Sequence, residues 1–155
     1  MPDVTIEDNT GEAKKAMEMA VLRALEIIGG MAEGYAKGLT PVKTGALRNS
    51  ITHKVDKAGK TVTVGSNVHY APYVELGTGN QYEPPPEWIE AQAKRGRGLS
   101  KWYYKDDKGK WHVGYPRKGV KMIQRAIKEH MEEYKNVIVT ELTEAGGTDV
   151  TVSGG

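Results

Sequence analysis

A hydrophobic beat of three and four residues runs through this chain twice, once toward each end, and it constrains the fold more than any other feature. Ala13, Met17, Ala20, Ala24, Ile27/Ile28, Met31 and Tyr35 mark one face of an amphipathic helix from about Gly11 to Lys37. Val120, Ile123, Ile127, Met131, Tyr134, Ile138 and Leu142 mark a second, from about Lys118 to Ala145, which Gly146-Gly147 stops. At 1.5 Å per residue the second rod would be ~42 Å long, about the width of a domain of this size. In 155 residues, two such rods leave room for one domain and one modest core.

What lies between the rods is β. Thr40-Pro41 ends the first helix, because a residue preceding proline is pushed out of the helical region. Thr44 can then cap a further turn, Gly45 to Ser50, with its hydroxyl. "SITHKV" and "KTVTVGS" alternate and are β-branched, and "DKAGK" between them turns a hairpin. In "VHYAPYVELGTG", Pro72 suits the start of a short helix and Gly77 suits a left-handed C-terminal position. "WYYKDDKGKWHV" predicts an aromatic hairpin turning at Asp107–Gly109. The expected fold is therefore α+β: a small antiparallel sheet packed by two long helices, with an extended aromatic hairpin insertion. Residues 1–147 form the domain, 80–116 the insertion and 148–155 a tail. Gly29-Gly30 falls inside the first helix, at about 1 kcal/mol per glycine relative to alanine. It marks either close packing or a hinge.

The chain has no Phe, so 8 Tyr, 3 Trp and 6 Met supply its large apolar side chains. The expected core holds Met17, Ala20, Ala24, Leu25, Ile28, Leu47, Ile51, Val62, Val64, Tyr73, Ile123, Ile127 and Met131. There is no Cys, which excludes a disulfide scaffold, a thiolate zinc site and a cysteine nucleophile. His53, His69, His112 and His130 share no metal-ligand spacing. Ser50, Ser66, Ser100 and Ser153 sit in no nucleophile-elbow context. "GTGNQYEPPPE" has glycines but neither the lysine nor the helix of a phosphate loop. No catalytic residue, metal or cofactor is expected. No apolar run approaches the ~20 residues of a membrane span, and "MPDVTIEDN" is too acidic for a signal peptide.

The charge is uneven. Residues 94–121 carry ten basic groups against only Asp106 and Asp107, and both ends of the chain are acidic. Lys94, Arg95, Arg97, Lys101 and Lys105, interleaved with Trp102, Tyr103, Tyr104 and Trp111, are a candidate interface for an acidic partner. Residue type alone suits either protein or nucleic acid as that partner; the apolar surface of the Trp102–Trp111 hairpin favours protein.

Two blocks are too particular to be connectors. Thr40, Pro41, Thr44, Gly45, Leu47 and Arg48 form the first; Tyr70, Ala71, Tyr73, Glu75, Gly77 and Thr78 form the second. With the aromatic hairpin and the proline-led last helix, they resemble the minor tail-component family of tailed bacteriophages, associated with head–tail joining and tail completion. The resemblance runs from about Gly11 to Ala145. One departure is "YPRKGVKMI", where such proteins typically carry a proline–phenylalanine pair; Val120 or Met122 would have to substitute. The resemblance implies a non-enzymatic virion structural protein, built in the host cytoplasm. It also implies a ring of identical subunits, six-fold or twelve-fold, at the neck or the head-proximal end of the tail. Its partners would be other copies of itself, neighbouring neck and tail proteins and, as the alternative reading, DNA in the channel; no membrane is implied. Arg48 and Glu75, each the sole charge of its turn, are expected to pair and so join the two blocks. The composition of residues 148–155 predicts a disordered tail; where a partner orders it, Val150 and Val152 in "DVTV" are expected to add as an edge strand to a neighbour.

Overall fold

The computed structural model describes residues 8–43, 45–81 and 99–146. The first periodic segment is α1, Thr10–Leu39, 30 residues long. Its inward stripe is almost entirely alanine: Ala20, Ala24, Ala32 and Ala36, with Ile28, are all buried. Small side chains at i+4 spacing let other backbones approach α1 closely. Gly29 shows the same effect. A Cβ there would lie 2.4 Å from the His53 ring and 2.9 Å from Val62, so the glycine is a packing site. α1 runs unbroken through Gly29 and Gly30, and no hinge interrupts it.

Beyond Thr40, which is extended, the chain forms α2 (Ala46–Ser50) and then a hairpin. Strands β1 (Ile51–Asp56) and β2 (Thr61–Ser66) pair antiparallel, with Ile51 opposite Ser66 and Val55 opposite Val62. The alternation is that of a sheet with one wet face. Ile51, His53, Val62 and Val64 turn toward α1, while Thr52, Lys54, Thr61 and Thr63 face solvent. α3 (Ala71–Leu76) follows, with Pro72 in its first turn. Gly77 ends it at φ 88 and ψ −174. That is a glycine-only region, not the left-handed helical one the sequence suggested.

The second periodic segment is not one rod. α4 (Met122–Lys128) and α5 (Met131–Glu144) are separated by Glu129 and His130. The Tyr134 hydroxyl donates to the Ala126 carbonyl at 2.6 Å, the acceptor that the His130 amide would use in an unbroken helix. A side chain inserted into the ladder is a recognised cause of a break. His130 stacks flat on Tyr35, with ring centroids 3.5 Å apart, and its Nδ1 lies 2.8 Å from Glu133. The Tyr35 hydroxyl donates to the same carboxylate. Arg23 pairs with Glu141 at 3.1 Å, so α5 runs back along α1 and the two meet antiparallel.

Because the segment is two helices, the expected phase is wrong in its first half. Met122 and Ala126 form the inner stripe and are fully buried, whereas Ile127 and Met131 are exposed. Of the other expected core residues, Ala20, Ala24, Ile28, Leu47 and Ile51 are buried, and Met17, Leu25, Val62, Val64, Tyr73 and Ile123 are half-buried. One cluster gathers Ala36, Leu47, Ile51, Ala71, Met122 and Ala126; a second gathers Ile28, Ala32 and Tyr134. Met122, one of the two residues expected to substitute for a phenylalanine, is fully buried, and Val120 is half-buried.

The aromatic hairpin is a second, separate two-stranded sheet of β3 (Trp102–Lys105) and β4 (Trp111–Gly114). Asp106 organises its turn, accepting from the Lys108 and Lys110 amides at 2.9 Å each. It also lies 2.8 Å from His112 Nε2, which holds its carboxyl below the usual range, with the two amides assisting. Gly109, at φ 77, supplies the positive angle the turn requires. The architecture is α+β, with the expected small sheet and the aromatic hairpin as a second one.

Candidate functional site: two motif blocks around the start of α4

The second block is zipped to the segment that leads into α4. Thr78 N–H donates to the Arg117 carbonyl at 2.9 Å, and Arg117 N–H donates to the Thr78 hydroxyl at 3.0 Å. Val120 and Lys121 amides donate to the Val74 and Glu75 carbonyls at 2.8 and 3.0 Å. Gly77 bridges Lys118. The backbones come so close that a Cβ on Gly77 would lie 2.7 Å from the Arg117 carbonyl oxygen. A Cβ on Gly119 would lie 2.3 Å from that of Glu75. The motif glycine is thus required twice, for its positive φ and for the crossing.

Glu75 itself is buried, and its carboxylate accepts from the amides of Ile123 at 3.0 Å and Gln124 at 2.8 Å. The first amides of a helix have no partner within it. Lys121, in the N-cap position of α4, is left-handed and gives no side-chain cap. A carboxylate from α3 takes that role from a distance. The expected pair with Arg48 does not form. Arg48 is exposed, because α2 turns it outward while Leu47 points into the core.

The first block reaches the same place from the other side. The buried Thr40 hydroxyl donates to the Ala36 carbonyl at 2.6 Å and lies 3.2 Å from Met122 Sδ. Gly45, at φ 79, opens α2, and Asn49 N–H donates to its carbonyl at 2.9 Å. Ser50 links α2 to the hairpin through Ser66, 2.7 Å away. Thr44, expected as the cap, lies outside the described residues. The two blocks therefore meet through Met122, Ile123 and Gln124, not through one another's charges. No pairwise signal in the sequence points to that, since the connecting groups are backbone amides.

Outside this junction the blocks enclose a cavity of about 430 Å³, lined by Pro41, Lys43, Gly45, Leu47, Tyr70, Tyr73, Val74, Thr78, Arg117, Lys118 and Val120. Its lining is largely apolar and its charged residues are all basic.

The other expected site is the aromatic and basic hairpin. Lys94, Arg95 and Arg97 lie outside the described residues, as does the tail from residue 147. Within the hairpin, Trp102 covers Gly114, while Trp111 is 64% and Tyr103 61% exposed. Tyr104, Val113 and Tyr115 are exposed as well. Lys105 Nζ sits 4.9 Å from the centre of the Trp111 ring, and Lys101 lies over Tyr103, both within the range of cation–π attraction. No helix among the described residues is long and apolar enough to cross a membrane.

No curated protein and no solved structure gives a significant match. A family model does match, over residues 5–77, and its description is "Bacteriophage HK97-gp10, putative tail-component". That segment holds α1, the β1–β2 hairpin and both motif blocks up to Gly77. Residues 5–77 of this chain are thus similar to that bacteriophage tail-component family.

Proposed function

We propose that the chain is a non-enzymatic virion protein that joins heads to tails, or completes the tail, as a closed ring of identical subunits. Its place would be the neck or the head-proximal end of the tail, with six-fold or twelve-fold symmetry. The observation that carries this reading is the β3–β4 hairpin. A two-stranded ribbon is marginal by itself in water, yet this one turns Tyr103, Tyr104, Trp111, Val113 and Tyr115 outward. In this register Tyr103, Trp111 and Val113 share one face of the ribbon and Tyr104 lies on the other, and exposed large amphipathic side chains of this kind are the composition of an interface core. Gly30, Gly34 and Gly38 also face open space along α1, which leaves that side of the helix able to take a close neighbour. A head-to-tail contact between copies closes when its rotation does.

A second reading, contact with DNA in the channel, is favoured by the lysines held over Tyr103 and Trp111, since stacked aromatics beside cations suit bases and phosphates. The test is an infection lacking the chain. The structural reading expects filled heads and separate tails that do not join. Complete, infectious particles without the chain would overturn it.

A further inference from the structure

The geometry points to an occupant for the cavity between the motif blocks: we infer that it receives the acidic segment Asp3–Glu7 of a neighbouring copy. The inference rests on the ring reading above and names the contact that would build the ring. The cavity's inner wall is apolar, with Leu47, Tyr73 and Val120 among its residues, and its charged residues are Lys43, Arg117 and Lys118. A matching ligand is an extended peptide with apolar side chains on one side and carboxylates on the other. "DVTIE" has that pattern: Val4 and Ile6 alternate with Asp3, Thr5 and Glu7. In an extended chain, residues two apart share a face, and such segments bind by seating alternate side chains in pockets.

The donor must be another copy. The cavity begins at Pro41, just past the C-terminal end of α1, and Asp3–Glu7 precede its N-terminal end. A helix of 30 residues separates the two by ~45 Å. The seven residues from Thr10 back to Asp3 span at most ~25 Å, so a chain cannot fill its own cavity with this segment. A contact from one end of each subunit to the other end of the next is head-to-tail, the kind that generates rings.

The chain has no cysteine, so a designed disulfide reads the contact cleanly. The full chain carrying Thr5→Cys and Lys43→Cys is assembled and then oxidised. A ladder of covalent multimers is expected, with neither single variant passing a dimer. In parallel, Asp3→Lys with Glu7→Lys should weaken self-association at low salt, and adding Lys43→Glu with Lys118→Glu should restore it. An unchanged melting curve would show that the fold is intact. If the unmodified chain forms multimers but the double-cysteine chain gives no ladder, or closes only within monomers, this inference is wrong and the ring reading stands. If the unmodified chain is monomeric both in solution and in the particle, the ring reading fails and this inference with it.

Discussion

Glu75 caps α4 through the amide of Gln124, with 2.8 Å between the carboxylate oxygen and that nitrogen. The same carboxylate takes the Ile123 amide, so removing it strands two half-buried donors at once. Glu75→Ala should lower unfolding stability by ~2–4 kcal/mol, on the scale of hydrogen bonds to a charged group. Glu75→Gln keeps one acceptor and should lose less. Urea denaturation of the two variants checks this; a Glu75→Ala midpoint equal to that of the unmodified chain would contradict the capping role.

The break at His130 depends on one hydroxyl. Tyr134→Phe leaves the ring in place but removes the donor to the Ala126 carbonyl, and Ala126 is fully buried. The expected loss is ~1–3 kcal/mol, the desolvation penalty of an unsatisfied acceptor. Calorimetry would register it as a lowered Tm, and an unchanged Tm would mean that the carbonyl finds another donor.

Two glycines should respond to alanine in opposite directions. At Gly119 the new Cβ meets the Glu75 carbonyl oxygen at 2.3 Å, and overpacking against backbone costs ~1–3 kcal/mol or more. At Gly30 nothing lies within 4 Å, so alanine should stabilise α1 by up to ~1 kcal/mol. Melting curves of the isolated chains compare the two; a destabilised Gly30→Ala would mean that α1 bends there.

The β1–β2 hairpin is tied to α1 by a pH-dependent pair. His53 Nδ1 lies 2.7 Å from Glu33, and its Nε2 lies 3.3 Å from Glu26. The Glu33 bond raises the imidazole above its ordinary value, against partial desolvation and with Glu26 assisting. Glu33 is lowered, first by Lys37 and then by His53. A raised histidine contributes fully below its unfolded value, about 6.5, and loses the contribution as pH rises through the folded one. A lowered glutamate contributes above about 4.3 and loses it as pH falls. The stability gap between the unmodified chain and His53→Gln should therefore be widest between about pH 4.5 and 6.5 and narrow toward pH 8. A gap that is flat across this range would contradict the pairing.

These residues also show what a sequence can and cannot display. α1, the β1–β2 hairpin and the aromatic hairpin were legible because periodicity and turn chemistry are local properties. The break at His130 was not, because Ile127, Met131 and Tyr134 keep a three-and-four spacing across it. The device that makes it, a tyrosine hydroxyl on a carbonyl eight residues back, has no periodic signature. The motif blocks stood out as unusual, but the contact that joins them was misread. Arg48 and Glu75 looked like partners because each was the lone charge in its turn. The partner of Glu75 is backbone, and every residue has backbone amides, so nothing in the letters of Ile123 or Gln124 announces it. Glycines 77 and 119 carried more of the answer, since only a close crossing needs both.

The proposal that this chain works as a ring between head and tail is tested most directly by density for it in the whole virion. The expected result is a closed ring of copies at the neck or head-proximal tail end, with adjacent subunits in head-to-tail contact. Purified, infectious particles with no density for the chain, or with single isolated copies at scattered positions, would contradict it.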